Sequence, residues 1–168
     1  MSTVLIIGAS RGIGLETVRL ALKSGHSVRA LARSATAMPL HDRKLENVDG
    51  DALDQHTIER ALVGVDAVIQ TLGVSPTPEL ILGGTRLFSV ATRILVNAQE
   101  WIIRRSSLDW TIARPTVLTT GPRTGAYRVL VDARDWRSGF ISRAEVADFL
   151  VRQIEDASLL RKTPVLTG

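Results

Sequence analysis

Residues 8–14 read Gly-Ala-Ser-Arg-Gly-Ile-Gly and follow directly on the apolar run Val4–Ile7. A strand that runs into glycines, with a helical pattern opening at once behind them, must reverse direction within a few residues. Glycine permits that turn where a side chain would obstruct it. The helix expected from Gly12 to Ser24 gathers Leu15, Val18 and Leu22 on one face and meets Gly25 as its C-terminal stop. Unpaired amides and the helix dipole at such a start favour an anion, and a Cβ in the turn would hold a pyrophosphate away. Gly8, Ser10, Arg11, Gly12, Ile13 and Gly14 are therefore the candidate phosphate cradle of a dinucleotide site.

Strand and helix patterns alternate along the rest of the chain. Strands are expected at Ser27–Ala32, Leu45–Asp49 and Asp66–Leu72. A helix capped by Asp54 runs between the last two to Gly64, with Ile58, Ala61 and Leu62 inward. A long helix follows, from Arg86 to Ser106 with Thr85 as cap, on which Leu87, Ala91, Ile94, Ala98 and Trp101 or Ile102 form a face for the sheet. "LDWTIARP", Leu108–Pro115, is the next strand, and Tyr127–Asp132 another. Ser142 and Glu145 form a capping box opening a helix to about Glu155, and "TPVLTG" closes the sheet. The expected fold is α/β: a Rossmann-like, doubly wound, mainly parallel sheet in a single domain over 168 residues.

The end of the second strand decides which dinucleotide is expected. An NAD site usually carries an acidic residue there for the ribose hydroxyls. Here the residues are Ala32, Arg33 and Ser34, with Arg11 in the phosphate loop facing the same ribose. Two guanidinium forks and a hydroxyl suit a 2′-phosphate. NADP(H) is the expected cofactor, with NAD(H) as the alternative.

Composition excludes several chemistries. The chain has no Cys, so disulfides and thiolate nucleophiles are absent, and His26, His41 and His56 are scattered over expected surface or helix-start positions, giving no metal site. The net charge of +4 is dispersed, with 18 Arg against 3 Lys, which argues against a nucleic-acid face. No stretch is long enough to cross a bilayer, and the opening apolar run reads as a buried strand rather than a signal peptide; a cytoplasmic protein is expected.

Taken together, the motifs resemble the short-chain dehydrogenase/reductase superfamily. They are most similar to its atypical NAD(P)H-binding branch, which includes biliverdin-IXβ/flavin reductase-like proteins and dinucleotide sensors. "GASRGIG" corresponds to the phosphate loop, "GDALD" (Gly50–Asp54) to the turn after the third strand, "VIQTLG" (Val68–Gly73) to the fourth strand, and "LDWTIARPTVL" and "ISRAEVADFLV" to two later elements. The resemblance implies that Asp51 and Ala52 border the adenine. It also implies that Thr71, Leu72 and Gly73 pass under the cofactor and that Pro115, Thr116 and Val117 lie near the nicotinamide.

One β-α unit of that pattern is missing. "RILVNAQEWIIRRSSLDW" joins the front of one helix to the back of the next, so about 30 residues are lost. No Tyr-x-x-x-Lys pair exists: the sole Tyr is Tyr127, with Val131 four residues on, and the lysines are Lys23, Lys44 and Lys162. The catalytic residues are thus unassigned. Thr71, Ser75, Arg114, Thr116 and Tyr127 are candidates to line a substrate site, with "VSPTPELILGG" and "TTGPRTGAY" as its rim. Two functions are expected to compete. One is a small NADPH-dependent oxidoreductase acting on a flavin-, quinone- or carbonyl-type acceptor. The other is a non-catalytic NADP(H) redox sensor or accessory subunit. The expected partner, beyond any small-molecule substrate, is a second copy of the chain, docked through the helix near 86–106.

Overall fold

The computed structural model describes residues 1–72 and 100–168. Gly73, Ser75, the rim segment "VSPTPELILGG" and the long helix up to residue 99 lie outside the described residues. Only a helical end at 100–105 represents that helix.

The first half is a parallel four-stranded sheet with helices on both faces. In chain order it comprises β1 (Thr3–Ile7), α1 (Gly12–Lys23), β2 (Ser27–Ala32), β3 (Leu45–Asp49), α2 (Gln55–Leu62) and β4 (Ala67–Gln70). The strand order is β3-β2-β1-β4. The period of two along β1 explains the double winding. Val4 and Ile6 join Val18 and Ala21 of α1 in one core, whereas Leu5 and Ile7 join Leu31 and Ala61 of α2 in the other. Apolar residues on both faces are what a strand covered on two sides requires.

The second half contains β5 (Arg114–Pro115), β6 (Val117–Thr119), β7 (Arg128–Leu130), β8 (Phe140–Ser142), α3 (Arg143–Arg152) and β9 (Val165–Thr167). Sheet order is β5-β9-β7 in one group, with β7 antiparallel, and β6-β8 in another. The expected strand "LDWTIARP" is thus not one element. Its ladder begins with an isolated bridge at Thr111, continues through Arg114 N donating to Pro164 O at 2.9 Å and Thr116 N to Leu166 O at 2.9 Å, then changes partner at Val117 N to Gly139 O. Pro115 has no N–H to give, and the chain passes from one neighbour to the other just after it, between Thr116 and Val117.

Four local expectations are corrected. Leu62 is exposed and Thr57 takes its inward place on α2, held by the Asp54 carboxylate that also caps the helix. His26 is buried, its Nδ1 accepting from the Ser2 amide at 3.4 Å. Trp101 and Ile102 are exposed, and Glu100 turns inward instead, because Arg114 binds its carboxylate at 2.6 Å. Ser142 caps α3 by accepting from Glu145 N at 3.1 Å, but the reciprocal half of the capping box is missing. The Glu145 carboxylate is drawn away to the loop before β7, where it accepts from the amides of Thr124 at 2.6 Å and Gly125 at 3.0 Å and from the Thr124 hydroxyl at 2.6 Å.

Candidate functional site

The Gly8–Gly14 turn is shaped by contacts that leave no room for side chains. Gly8 has a φ of +85°, and an added Cβ there would sit 3.1 Å from Thr71 Oγ1 and 3.2 Å from the Leu72 amide. At Gly14 a Cβ would collide with the Gly8 carbonyl oxygen and lie 2.7 Å from Thr71 Oγ1. Gly12 differs: with φ at +59°, its added Cβ would meet nothing within 4 Å. Its backbone conformation, not crowding, calls for glycine.

Thr71 pins the turn from below. Its amide donates to Ile7 O at 2.9 Å and its hydroxyl to the same oxygen at 2.9 Å. The Gly8 amide is bound to Leu31 O at 3.0 Å. The first intrahelical bond of α1 is Leu15 N to Arg11 O, so the amides of Gly12, Ile13 and Gly14 stand at the open first turn. No acidic side chain occupies that turn. Such an end favours an anion.

In front of the turn lies a cleft of about 400 Å³. It brings together Gly8, Ser10, Arg11, Arg33, Ser34, Asp51, Ala52, Thr71 and Leu72, nine of the expected cofactor residues. Gly12, Ile13 and Gly14 do not line it. Pro115, Thr116 and Val117 belong to the second half and do not line it. Thr116 Oγ1 is nevertheless buried without a hydrogen-bond partner, an orphaned hydroxyl at the position that the motifs put beside the nicotinamide.

Sequence reasoning missed the wall opposite the turn, made by Ala37, Met38, Pro39 and Gly50. Asp49, at the end of β3, holds that wall in place. Its carboxylate accepts from the Thr36 amide at 2.9 Å and the Thr36 hydroxyl at 2.5 Å. These bonds, the hydroxyl's foremost, hold the Asp49 carboxyl below the usual carboxylate range. The carboxylate in register with Ala32, the last residue of β2, is thereby committed to the loop. Asp51 has one oxygen on the Leu53 amide at 3.0 Å. Among the described residues the Arg33 guanidinium is exposed and makes no ion pair.

Two proposed substrate-site residues are engaged elsewhere. Arg114, bound to Glu100, also lies 5.3 Å from the centre of the Trp136 ring. Tyr127 donates its hydroxyl to Asp148 Oδ2 at 3.0 Å and meets Phe149 edge-on. Burial, and then the Asp148 carboxylate, pushes the Tyr127 phenol up to about 12. A raised phenol pKa means that the folded state keeps a proton that the unfolded state releases. Stability is therefore expected to fall as pH rises from 10 towards about 12. Tyr127→Phe should flatten that part of the profile relative to wild type, as read by urea unfolding; parallel profiles would show that Tyr127 does not titrate in this way. Among the described residues, no group of three or more metal-ligating side chains converges, and no helix is long and apolar enough to cross a membrane.

Parallel strands wound on both faces, with a glycine turn aimed into a helix start, define a Rossmann-type dinucleotide-binding protein. The chain belongs to the NAD(P)H-binding family: it matches the family over residues 8–100 and again over 91–157. The two matches overlap at residues 91–100.

The photosystem II assembly factor Ycf39 of Synechocystis is 26% identical over 203 aligned residues, spanning 98% of this chain and 62% of that protein. An alignment longer than the 168-residue chain means that Ycf39 carries at least 35 residues between the matched ends that are missing here. The phenylcoumaran benzylic ether reductase TP7 of Nicotiana tabacum is 37% identical over 82 residues, 44% of this chain and 27% of its own. The chain thus spans less than two thirds of the length of these relatives. Among solved structures, a wide-type short-chain dehydrogenase/reductase from Veillonella parvula in complex with NADP superposes with a TM-score of 0.81 at 15% identity, covering 99% of this chain and 94% of that one. The anaerobillin reductase ChuY of Escherichia coli O157:H7 gives 0.78 at 23% identity, covering 99% and 97%.

Proposed function

We propose that the protein is a small NADPH-dependent oxidoreductase that delivers hydride to a flavin-, quinone- or carbonyl-type acceptor. The observation that carries the reading is the chemistry of the cleft. Arg11, Arg33 and Ser34 line it, the end of β2 carries no carboxylate, and Asp49 at the end of neighbouring β3 is held by Thr36. The 2′-phosphate would rest against the two arginines, the pyrophosphate on the amides of Gly12 and Ile13, and the adenine between Met38 and Ala52. Thr116 would offer its hydroxyl on the nicotinamide side.

NADPH when bound supplies the hydride. The chain's part is to hold the ring and exclude water, since the hard chemistry is the cofactor's. An acceptor that gains hydride also needs one proton. With Tyr127 bound to Asp148, that proton comes from solvent or from the acceptor's own groups, which suits flavins and quinones better than simple ketones. The reductase and dehydrogenase relatives support this reading by analogy alone.

The same Tyr127 contact favours a second reading, a non-catalytic NADP(H) sensor or accessory subunit, and the assembly role named for Ycf39 fits it. One experiment separates the two. Purified protein is mixed with NADPH and a panel of flavin, quinone and carbonyl acceptors, and absorbance loss is followed. Saturable NADPH oxidation with at least one acceptor is the expected result. Tight NADPH binding with no oxidation above background across the panel would replace the enzyme by the sensor.

A further inference from the structure

We propose that the groove between α1 and the start of α3 is a second ligand site, taking a small dianion such as a phosphate monoester or a dicarboxylate. The groove encloses about 400 Å³ and does not share lining residues with the nucleotide cleft. It starts at Gly12, the neighbour of Arg11 on the other side of the turn, and is flanked by Arg19, Lys23, Arg123 and Arg143 against the single carboxylate of Glu16. Its volume is in the range of small-molecule pockets.

The charge balance sets the class of ligand. Arg19 is paired with Glu16 at 2.9 Å, and Arg123 with the buried Asp148 at 2.7 Å. Lys23 and Arg143 have no carboxylate partner among the described residues. Arg143 Nη1 donates to Thr119 O at 3.2 Å, which orients the guanidinium into place without neutralising it. Two positive charges are thus uncompensated across a concave surface, where low-dielectric walls concentrate the field. Glu145, the carboxylate in the first turn of α3, pairs with neither cation, because the Thr124 and Gly125 amides hold it. A ligand with two negative charges would balance the site. A groove of this size with four cations is too confined for a nucleic-acid backbone, which needs an extended basic face.

The test uses the whole protein in phosphate-free buffer, with amide NMR signals as the readout. Glycerol 2-phosphate and succinate are the two dianion probes, and acetate is the monoanion control. Expected are saturable shifts confined to the amides of the groove walls, on α1 at 19–23 and opposite it at 120, 121, 123, 143 and 144, produced by at least one dianion, with acetate much weaker. The probe that acts identifies the source, phosphate or dicarboxylate. Lys23→Glu, an exposed change outside the nucleotide cleft, should weaken the effective probe by roughly tenfold and leave NADPH affinity unchanged. No saturable shift, equal shifts with acetate, or an unaltered affinity in Lys23→Glu would each overturn the proposal. Repeating the titration with NADPH present separates the two sites, and a failure of NADPH to bind would leave this test intact.

Discussion

Gly14→Ala is expected to lower stability by about 3 kcal/mol, the upper part of the range for overpacking. The added methyl would press on the Gly8 carbonyl and on Thr71 Oγ1, at 2.7 Å. Backbone cannot swing aside as a flexible side chain can. A domain of this size should lose roughly 6–12 °C in Tm. The same displacement moves α1 off the turn, so NADPH affinity should fall at least about tenfold. Thermal unfolding and calorimetric titration check both effects. A wild-type Tm with unimpaired NADPH binding would show that strand and helix do not approach as closely as described. Gly12→Ala is the informative contrast: its Cβ has open space around it, and only its φ of +59° resists the change. A smaller loss of stability is expected there, with the loss of binding retained.

Arg33→Asp should reverse cofactor preference. Charge-assisted hydrogen bonds contribute about 1.5–3 kcal/mol, and the substituted carboxylate repels the 2′-phosphate as well. NADPH binding is therefore expected to weaken by roughly 10- to 100-fold. NADH has no group at that position, and its affinity should stay within about threefold of wild type. Because Arg33 is exposed, folding should change by less than about 0.5 kcal/mol, so the effect is on recognition alone. Titrating both nucleotides against wild type and variant decides the matter. Equal losses for the two would place the 2′-phosphate away from Arg33.

The first half of the fold was legible because each element there announces itself locally. Val4–Ile7 followed by glycines, Asp54 before a helical pattern, and Asp66 before "AVIQ" each combine periodicity with a cap or a turn. Nine expected cofactor residues accordingly meet at one cleft. The second half was less legible because its pairings are decided between distant segments. Nothing within "LDWTIARPTVL" signals that the chain exchanges β9 for β8 at Thr116, and nothing near Glu145 signals that Thr124 and Gly125 will claim its carboxylate. The inward turn of Glu100 depended likewise on Arg114, fourteen residues away in sequence. The Asp49–Thr36 clamp could have been suspected, since an acid at a strand end opposite a Thr-bearing loop is a frequent tether. Its effect, the fixing of the cleft wall at Ala37, Met38 and Pro39, is a tertiary fact.

Among the described residues, the cleft before the glycine turn is lined by residues between Gly8 and Leu72 alone. Inheritance can therefore revise the downstream portion and keep that lining, provided the α3 face carrying Leu150 and Val151 still packs on the first-half core. A lineage that discards an internal module keeps its hold on a soluble electron carrier while the choice of where those electrons go is left open to revision. Bioengineers could exploit the same seam by grafting new acceptor-facing halves onto an unchanged front portion.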